Sequence, residues 1–175
     1  MKRRLLLAAT AITALAGCAG PQVTDYAGQT PTLDLRSYFN GTLDAYGVFT
    51  DRSGKVVKRF TVLMVCSWSG DDGVLDESFS YSDGSTQKRI WRLHREADGR
   101  YSGRADDVVG AALGEENGNA FHWNYTLALP VDGSVYNVQM DDWMYLVTER
   151  VMLNKARMSK LGIHLGDVTL SFTKR

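Results

Sequence analysis

The residues of this sequence best placed for chemistry are an acidic and a basic residue that each lie on an otherwise apolar strand face. Glu77 lies on the apolar face of one alternating run, and Arg89 lies on that of the next. The other side chains on these two faces are Leu75, Phe79, Tyr81, Trp91 and Leu93. A buried carboxylate stays ionised only beside an opposite charge, so we predict that Glu77 and Arg89 are neighbours. Arg89 would then bind the carboxylate or phosphate head of a ligand, or the two charges only neutralise each other at the edge of the fold.

Three strands between Phe60 and Leu93 must position these charges. In the first strand, alternate positions carry the large apolar residues Phe60, Val62, Met64, Cys66 and Trp68. This period of two is typical of a pleated strand with one buried face. The Asp83-Gly84 pair follows the second run and favours the positive-φ turn of a hairpin. We therefore predict an antiparallel meander in which Glu77 and Arg89 face each other across neighbouring strands.

The rest of the chain continues this pattern. The clearest alternation runs from Phe121 to Leu129, and a similar run from Val168 to Phe172 lies near the end of the chain. About nine or ten strands result, separated by turn signals and without a long helix, which predicts an all-β fold. Closure into an antiparallel up-and-down β-barrel of about 8–10 strands hides every strand edge, and a β-sandwich is the alternative. A barrel of this size is filled by side chains or holds one small ligand.

Aromatic residues are numerous on the predicted inner faces, where they would build a core or line a ligand cavity. They are Trp68, Trp91, Phe121, Trp123, Tyr125 and Trp143. Combining the charged and aromatic inner positions, the sequence predicts a ligand-binding set of Glu77, Phe79, Tyr81, Arg89, Trp91, Trp123 and Tyr125.

The start of the chain has the features of a bacterial lipoprotein signal. A basic segment precedes the apolar run from Leu5 to Leu15, which is too short to span a bilayer. The sequence Leu15-Ala16-Gly17-Cys18 then resembles a lipobox, in which the cysteine is acylated, for example with palmitate. Ala19 rather than Asp after this cysteine favours an outer-membrane lipoprotein that faces the periplasm.

This signal defines the predicted organisation of the chain. We expect a signal peptide at 1–17, a lipidated Cys18 with a tether over 18–32, and one barrel domain at 33–175. The acyl chains on Cys18 would anchor the protein stably to the membrane.

Charge and cysteine content narrow the possible functions. The chain has 20 basic and 20 acidic residues, and removing Lys2, Arg3 and Arg4 with the signal peptide leaves 17 against 20. A mildly acidic mature chain argues against nucleic acid as a partner. Cys66 is the only cysteine besides Cys18, and its place on an apolar strand face predicts a small core residue.

No motif for a metal, a cofactor or a catalytic centre is present. The three histidines, His94, His122 and His164, lack the spacing of metal ligands. The segment Gly110–Gly114 lacks the Lys and Ser/Thr of a phosphate-binding loop, and there is no G-x-S-x-G sequence. We therefore predict no metal and no cofactor, and the sequence favours a non-catalytic protein while leaving activity open.

Several segments spread over the mature chain resemble one family of bacterial lipoproteins, DUF3833. They are Tyr38–Gly41, Phe49–Gly54, Asp76–Gly84, Ala105–Gly110, Asp141–Met144 and Ser159–Gly162. The resemblance implies no established activity and a fold similar to lipocalins, since Phe39-Asn40-Gly41 resembles a lipocalin opening with Leu43 in place of the usual tryptophan. The resemblance also implies an association with gene neighbourhoods for membrane fatty-acid modification, which favours a lipid-related role.

Two functions follow from these observations, and an enzyme of lipid modification is a third, less favoured one. The first is a non-catalytic protein that binds a lipid, a fatty acyl compound or another hydrophobic ligand in the barrel, with Glu77 and Arg89 at its polar end. The second is a structural or assembly lipoprotein with a filled barrel, whose loops at Ser69–Gly73 and Gly110–Gly118 bind a protein partner that the sequence does not identify.

Overall fold

The computed structural model describes residues 20–131 and 133–175, so the predicted signal peptide and Cys18 lie outside the described residues. Ten strands account for most of this part of the chain. They are β1 (Gly41–Asp51), β2 (Val56–Ser69), β3 (Asp72–Tyr81), β4 (Thr86–Arg95), β5 (Tyr101–Arg104), β6 (Val108–Asn117), β7 (Ala120–Val131), β8 (Ser134–Leu146), β9 (Val151–Lys160) and β10 (Ile163–Lys174). Two short helical segments precede them, a 3₁₀ helix at Val23–Tyr26 and α1 at Leu35–Tyr38.

The ten strands form a closed antiparallel barrel in which each strand pairs with its neighbours in sequence and β10 pairs with β1. This arrangement confirms the predicted up-and-down barrel, in which the sheet closes on itself. The alternation that predicted the central meander is also confirmed, because Val62, Met64 and Cys66 are all buried inside the barrel. Gly84 adopts a positive φ of 82° in the β3–β4 turn, as the Asp-Gly pair predicted.

The turns that follow the odd-numbered strands β1, β3, β5, β7 and β9 lie at one end of the barrel. A cavity opens at this end. Its rim carries exposed apolar side chains next to the turns. Leu161 is 89% exposed at the tip of the β9–β10 turn, while Ile163 in β10 and Val135 in β8 are 61% and 67% exposed. We call these three residues the apolar rim.

The opposite end of the barrel is closed by the chain that leads into β1. The Asp34 side chain caps α1 by accepting a hydrogen bond from the Ser37 backbone at 2.8 Å. Phe39, which follows the helix, is only 2% exposed and meets the Phe172 ring edge to face at 5.3 Å. The Trp68 indole nitrogen donates a hydrogen bond to the Phe39 carbonyl oxygen at 2.9 Å. This aromatic plug separates the barrel interior from solvent.

Residues 20–32, within the predicted tether, lie against the outside of the barrel. Val23 is buried there against Ala120 and Trp143. Gly118, in the β6–β7 turn, has a φ of 55°, and a side chain at this position would collide with the Tyr26 carbonyl oxygen. The N-terminal segment therefore follows the barrel wall closely between Val23 and the plug.

Some local predictions are wrong. Trp143 faces the outside of the barrel, where Val23 covers it and the His122 ring stacks on it at 4.0 Å. The segment Gly110–Gly118, predicted as a loop, lies mostly in β6. In the described part of the chain, no helix is both long and apolar enough to cross a membrane.

Candidate ligand-binding cavity

A cavity of about 550 Å³ occupies the barrel interior beneath the open end. Its volume lies within the range of roughly 300–1,000 Å³ that is typical of small-molecule sites. All seven residues of the predicted ligand-binding set line it, namely Glu77, Phe79, Tyr81, Arg89, Trp91, Trp123 and Tyr125. The structure therefore brings together residues from β3, β4 and β7 around one space, and their role in binding a ligand stays a prediction.

The wall between the mouth and the charged residues is apolar. Tyr81 lies near the mouth, where its hydroxyl donates a hydrogen bond to Gln87 at 2.8 Å. Below it, the Phe60 and Phe79 rings are in contact, with centroids 5.9 Å apart. The remaining apolar lining includes Leu127, Leu129, Met158, Val168 and Leu170. A ligand that fills this part of the cavity would bury hydrocarbon.

Glu77 and Arg89 occupy directly opposed positions on β3 and β4, as predicted. Their closest charged atoms are nevertheless 4.0 Å apart, because the guanidinium of Arg89 turns to Asp107. Arg89 Nε lies 3.1 and 3.0 Å from the two carboxylate oxygens of Asp107, and Nη2 lies 2.6 Å from Oδ2. This geometry gives Asp107 the two-pronged contact that makes an Arg–carboxylate pair strong.

Glu77 is the least satisfied of the interior charges. It is buried, and its side chain makes no hydrogen bond with any residue of 20–131 or 133–175. Burial, with Asp107 and Asp142 nearby, raises its pKa to about 7, although Arg89 acts in the opposite direction. The Glu77 carboxyl also borders a void of about 30 Å³ on the side of the plug. It therefore sits at the floor of the cavity.

A second carboxyl, that of Asp142, is buried nearby on β8 but has several donors. Its Oδ2 accepts hydrogen bonds from the Trp123 indole nitrogen at 2.9 Å and from the Tyr125 hydroxyl at 3.3 Å. Its Oδ1 accepts one from the Asn154 amide, which also donates to the Trp143 carbonyl oxygen at 3.1 Å. Burial raises the pKa of Asp142, and these hydrogen bonds limit the rise. The Asp142 oxygens thus accept most of their hydrogen bonds from the protein itself.

Three cavity residues, Asp107, Asp142 and Asn154, were not predicted from the sequence. Asp142 shares its inward face with Met140 and Met144, so an unbroken period of two through β8 would have identified it. Asn154 likewise lies two residues from Ala156 on the inner face of β9, so the same period would have identified it. Asp107 lies in the β5–β6 turn, where no periodicity can indicate the direction of a side chain.

Outside the cavity, the other predicted features are core or surface groups. Cys66 is 4% exposed, and burial raises its pKa to about 12, which confirms a core residue rather than an exposed reactive thiol. His94 and His122 pair on the surface with Asp72 and Asp141. Within the described residues, no group of three or more His, Cys, Asp or Glu is placed to hold a metal ion.

Comparisons with known proteins agree with this architecture. The structure is similar to that of the S-type phycobiliprotein lyase CPES from Guillardia theta, with a TM-score of 0.56 and 8% sequence identity, over 79% of this chain and 89% of that chain. At this identity the likeness shows the fold alone, and it confirms the predicted lipocalin-like barrel. A sequence comparison with curated proteins gives no match. A family model, described as "Protein of unknown function (DUF3833)", matches residues 12–174, and the chain therefore belongs to the DUF3833 family.

Proposed function

We propose that this protein is an outer-membrane lipoprotein that binds a lipid or another hydrophobic small molecule in its barrel, without catalysing a reaction. The observation that carries the proposal is the cavity of about 550 Å³, which is open at one end, apolar along its walls and charged at its floor. Such a combination suits an amphiphile with one polar end. The lipobox-like sequence at Cys18 supports the proposed anchor.

The arrangement of the interior also supports binding without catalysis. Glu77 lines both the cavity and the small void below it, and Arg89 faces it at 4.0 Å. Among the described residues that line the cavity, no Ser, Cys or His lies beside Glu77 to form a nucleophile–base pair with it. Arg89 is held by Asp107. The groups in the cavity can recognise a ligand, but they do not form a recognisable reacting set.

The direct test is native mass spectrometry of the whole purified protein, released from detergent in the gas phase, followed by extraction and identification of any bound compound. We expect a discrete hydrophobic molecule in the wild type. The Val168→Phe variant places a ring in the cavity and should lose the ligand, while Thr169→Phe places the same ring on the outer face of β10 and should keep it.

The two variants also decide how a bound molecule is interpreted. Equal retention by Val168→Phe and Thr169→Phe would mean that the compound adheres outside the cavity. A wild-type protein that carries nothing and takes up no added lipid would end the proposal, provided that circular dichroism shows the intact β-barrel.

A further inference from the structure

We infer that the polar end of the ligand is a hydrogen-bond donor without negative charge, such as an ammonium, hydroxyl or amide group, and that it binds at Glu77. The inference rests on the proposed function, since it specifies which amphiphiles the cavity accepts. It replaces an anionic head at Arg89, which the sequence alone had suggested.

Arg89 is already engaged. Three contacts of 2.6 to 3.1 Å join its Nε and Nη2 to the Asp107 carboxylate, and its Nη1 faces Glu77 at 4.0 Å. A ligand carboxylate or phosphate at Arg89 would compete with these two protein carboxylates. Releasing Asp107 would leave a partly buried carboxylate without its partner, which is costly.

The cavity contains more acid than base. Three carboxyl groups, those of Glu77, Asp107 and Asp142, line the cavity, and Arg89 pairs with Asp107 and faces Glu77 but does not contact Asp142. A second cation among the described lining residues, Lys58, lies at the mouth, where its ammonium pairs with Asp83 at 2.9 Å and covers the Tyr81 ring at 4.2 Å. An anionic head at the cavity floor would therefore meet like charges in a poorly solvated space.

Of the three carboxyl groups in the cavity, that of Glu77 is free to accept a hydrogen bond from a ligand. The Asp142 oxygens accept from Trp123, Tyr125 and Asn154, and the Asp107 oxygens accept from Arg89. The Glu77 carboxyl, in contrast, accepts no hydrogen bond from the described residues, although its residue is only 9% exposed. Because Glu77 faces the cavity, a donor on a ligand can reach this carboxyl and supply the hydrogen bond that the protein does not.

The position of Glu77 also fits one orientation of an amphiphile. Tyr81 near the mouth and Glu77 at the floor are four residues apart on β3, a depth of roughly 13 Å at the rise of a strand. The apolar wall formed by Phe60, Phe79 and Leu127 lies along this distance. The ligand would enter with its polar end first and leave its hydrocarbon chain between Glu77 and the mouth.

The experiment is a competition at pH 8 between three compounds with the same chain, dodecylamine, dodecanol and dodecanoic acid. The whole purified protein is equilibrated with an equimolar mixture, and the bound compounds are extracted and quantified. The Val168→Phe variant, measured in parallel, gives the uptake by detergent and by surfaces outside the cavity. After this correction, we expect the amine and the alcohol to exceed the acid by about tenfold, the equivalent of roughly 1.4 kcal/mol.

Two variants assign the preference to Glu77. Glu77→Gln removes the inward charge and should lower the ratio of bound amine to bound acid by about fivefold or more. Asp76→Asn removes the same charge from the next residue of β3, which points outward and pairs with Lys88, and should leave the ratio unchanged.

The outcomes separate this inference from the proposed function. If none of the three compounds binds in the cavity, the proposed function fails and the inference falls with it. If dodecanoic acid binds as well as the other two or better, or if Glu77→Gln keeps the wild-type ratio, the cavity binds amphiphiles but this assignment of the polar end is wrong.

Discussion

Arg89 on β4 and Asp107 in the β5–β6 turn form a two-pronged ion pair across the place where β4 and β5 stop pairing. The backbone pairing of these strands covers only Arg92 to Arg95 of β4, whereas Arg89 lies further toward the mouth. The side chains of the pair are only 18% and 25% exposed. Side chains thus continue the barrel wall where the strand pairing ends.

We therefore expect Asp107→Asn to lower the free energy of unfolding by about 2 kcal/mol, because Arg89 would lose its carboxylate partner in a partly buried site. Urea denaturation at pH 7 measures the change. Asp106→Asn, at the exposed neighbouring position, should stay within about 0.5 kcal/mol of the wild type. Equal effects of the two substitutions would contradict a structural role for the ion pair.

The buried Glu77 carboxyl should make stability depend on pH in a defined direction. Its pKa rises from 4.5 to about 7 on folding, so the folded protein holds this proton more tightly than the unfolded chain. The Glu77 contribution to the free energy of unfolding is then complete below about pH 4.5 and is lost as the pH rises to about 7, by roughly 3 kcal/mol.

Glu77→Gln should remove this loss, so the variant should gain about 2–3 kcal/mol over the wild type between pH 5 and pH 8. Urea denaturation at the two pH values measures the gain. Asp76→Asn serves as the control on the outer face. The groups that act on Glu77 in this range are Arg89, Asp107, Asp142 and Asp76, and all of them remain in the variant. An identical pH dependence in Glu77→Gln and wild type would refute the assignment.

The Asn154 amide connects Asp142 to the backbone of β8. Asn154→Ala would leave Asp142 Oδ1 and the Trp143 carbonyl without this donor, and both are buried next to the cavity. We expect a loss of about 2 kcal/mol in the free energy of unfolding, together with a higher pKa of Asp142. Thermal unfolding followed by circular dichroism is suitable, with Lys155→Ala on the exposed face of β9 as control. The idea fails if the control destabilises the protein as much.

The aromatic plug should contribute strongly to stability. Phe39→Ala removes a ring that is 2% exposed and contacts both Tyr38 and Phe172. A loss of about 3–4 kcal/mol is expected for such a truncation. Urea denaturation again measures it, and Asn40→Ala at the exposed next position is the control. A loss of less than about 1 kcal/mol in the free energy of unfolding would show that the closed end of the barrel is stable without the Phe39 ring.

The charge pair at the centre of the fold was predictable because two local signals agree there. Alternation places Glu77 and Arg89 on inner faces, and the Asp83-Gly84 turn fixes the register that opposes them. The contact between Arg89 and Asp107 was not predictable in this way, because it joins a strand to a turn whose position depends on how short β5 is.

Trp143 shows a second limit of sequence patterns. On β8 the inner positions carry Met140, Asp142 and Met144, while the large apolar residue of this stretch points outward. Trp143 is covered by Val23, which lies more than one hundred residues away in a segment without periodicity. Because a large apolar residue is expected on the buried face of a strand, Trp143 was predicted to face the core, although the period of Met140, Asp142 and Met144 indicates the opposite face.

If the protein is anchored through Cys18, as we propose, the N-terminal segment along the outer wall would set the distance between the barrel mouth and the membrane. Gly20 lines a groove with Gln139 and Ser159, and Ser159 is two residues from the tip of the apolar rim at Leu161. With Cys18 acylated, as we propose, at most about 7 Å of chain joins the anchor to Gly20. So short a linker would orient the barrel with its mouth and the apolar rim toward the bilayer. A hydrophobic ligand would then pass between cavity and membrane without crossing water.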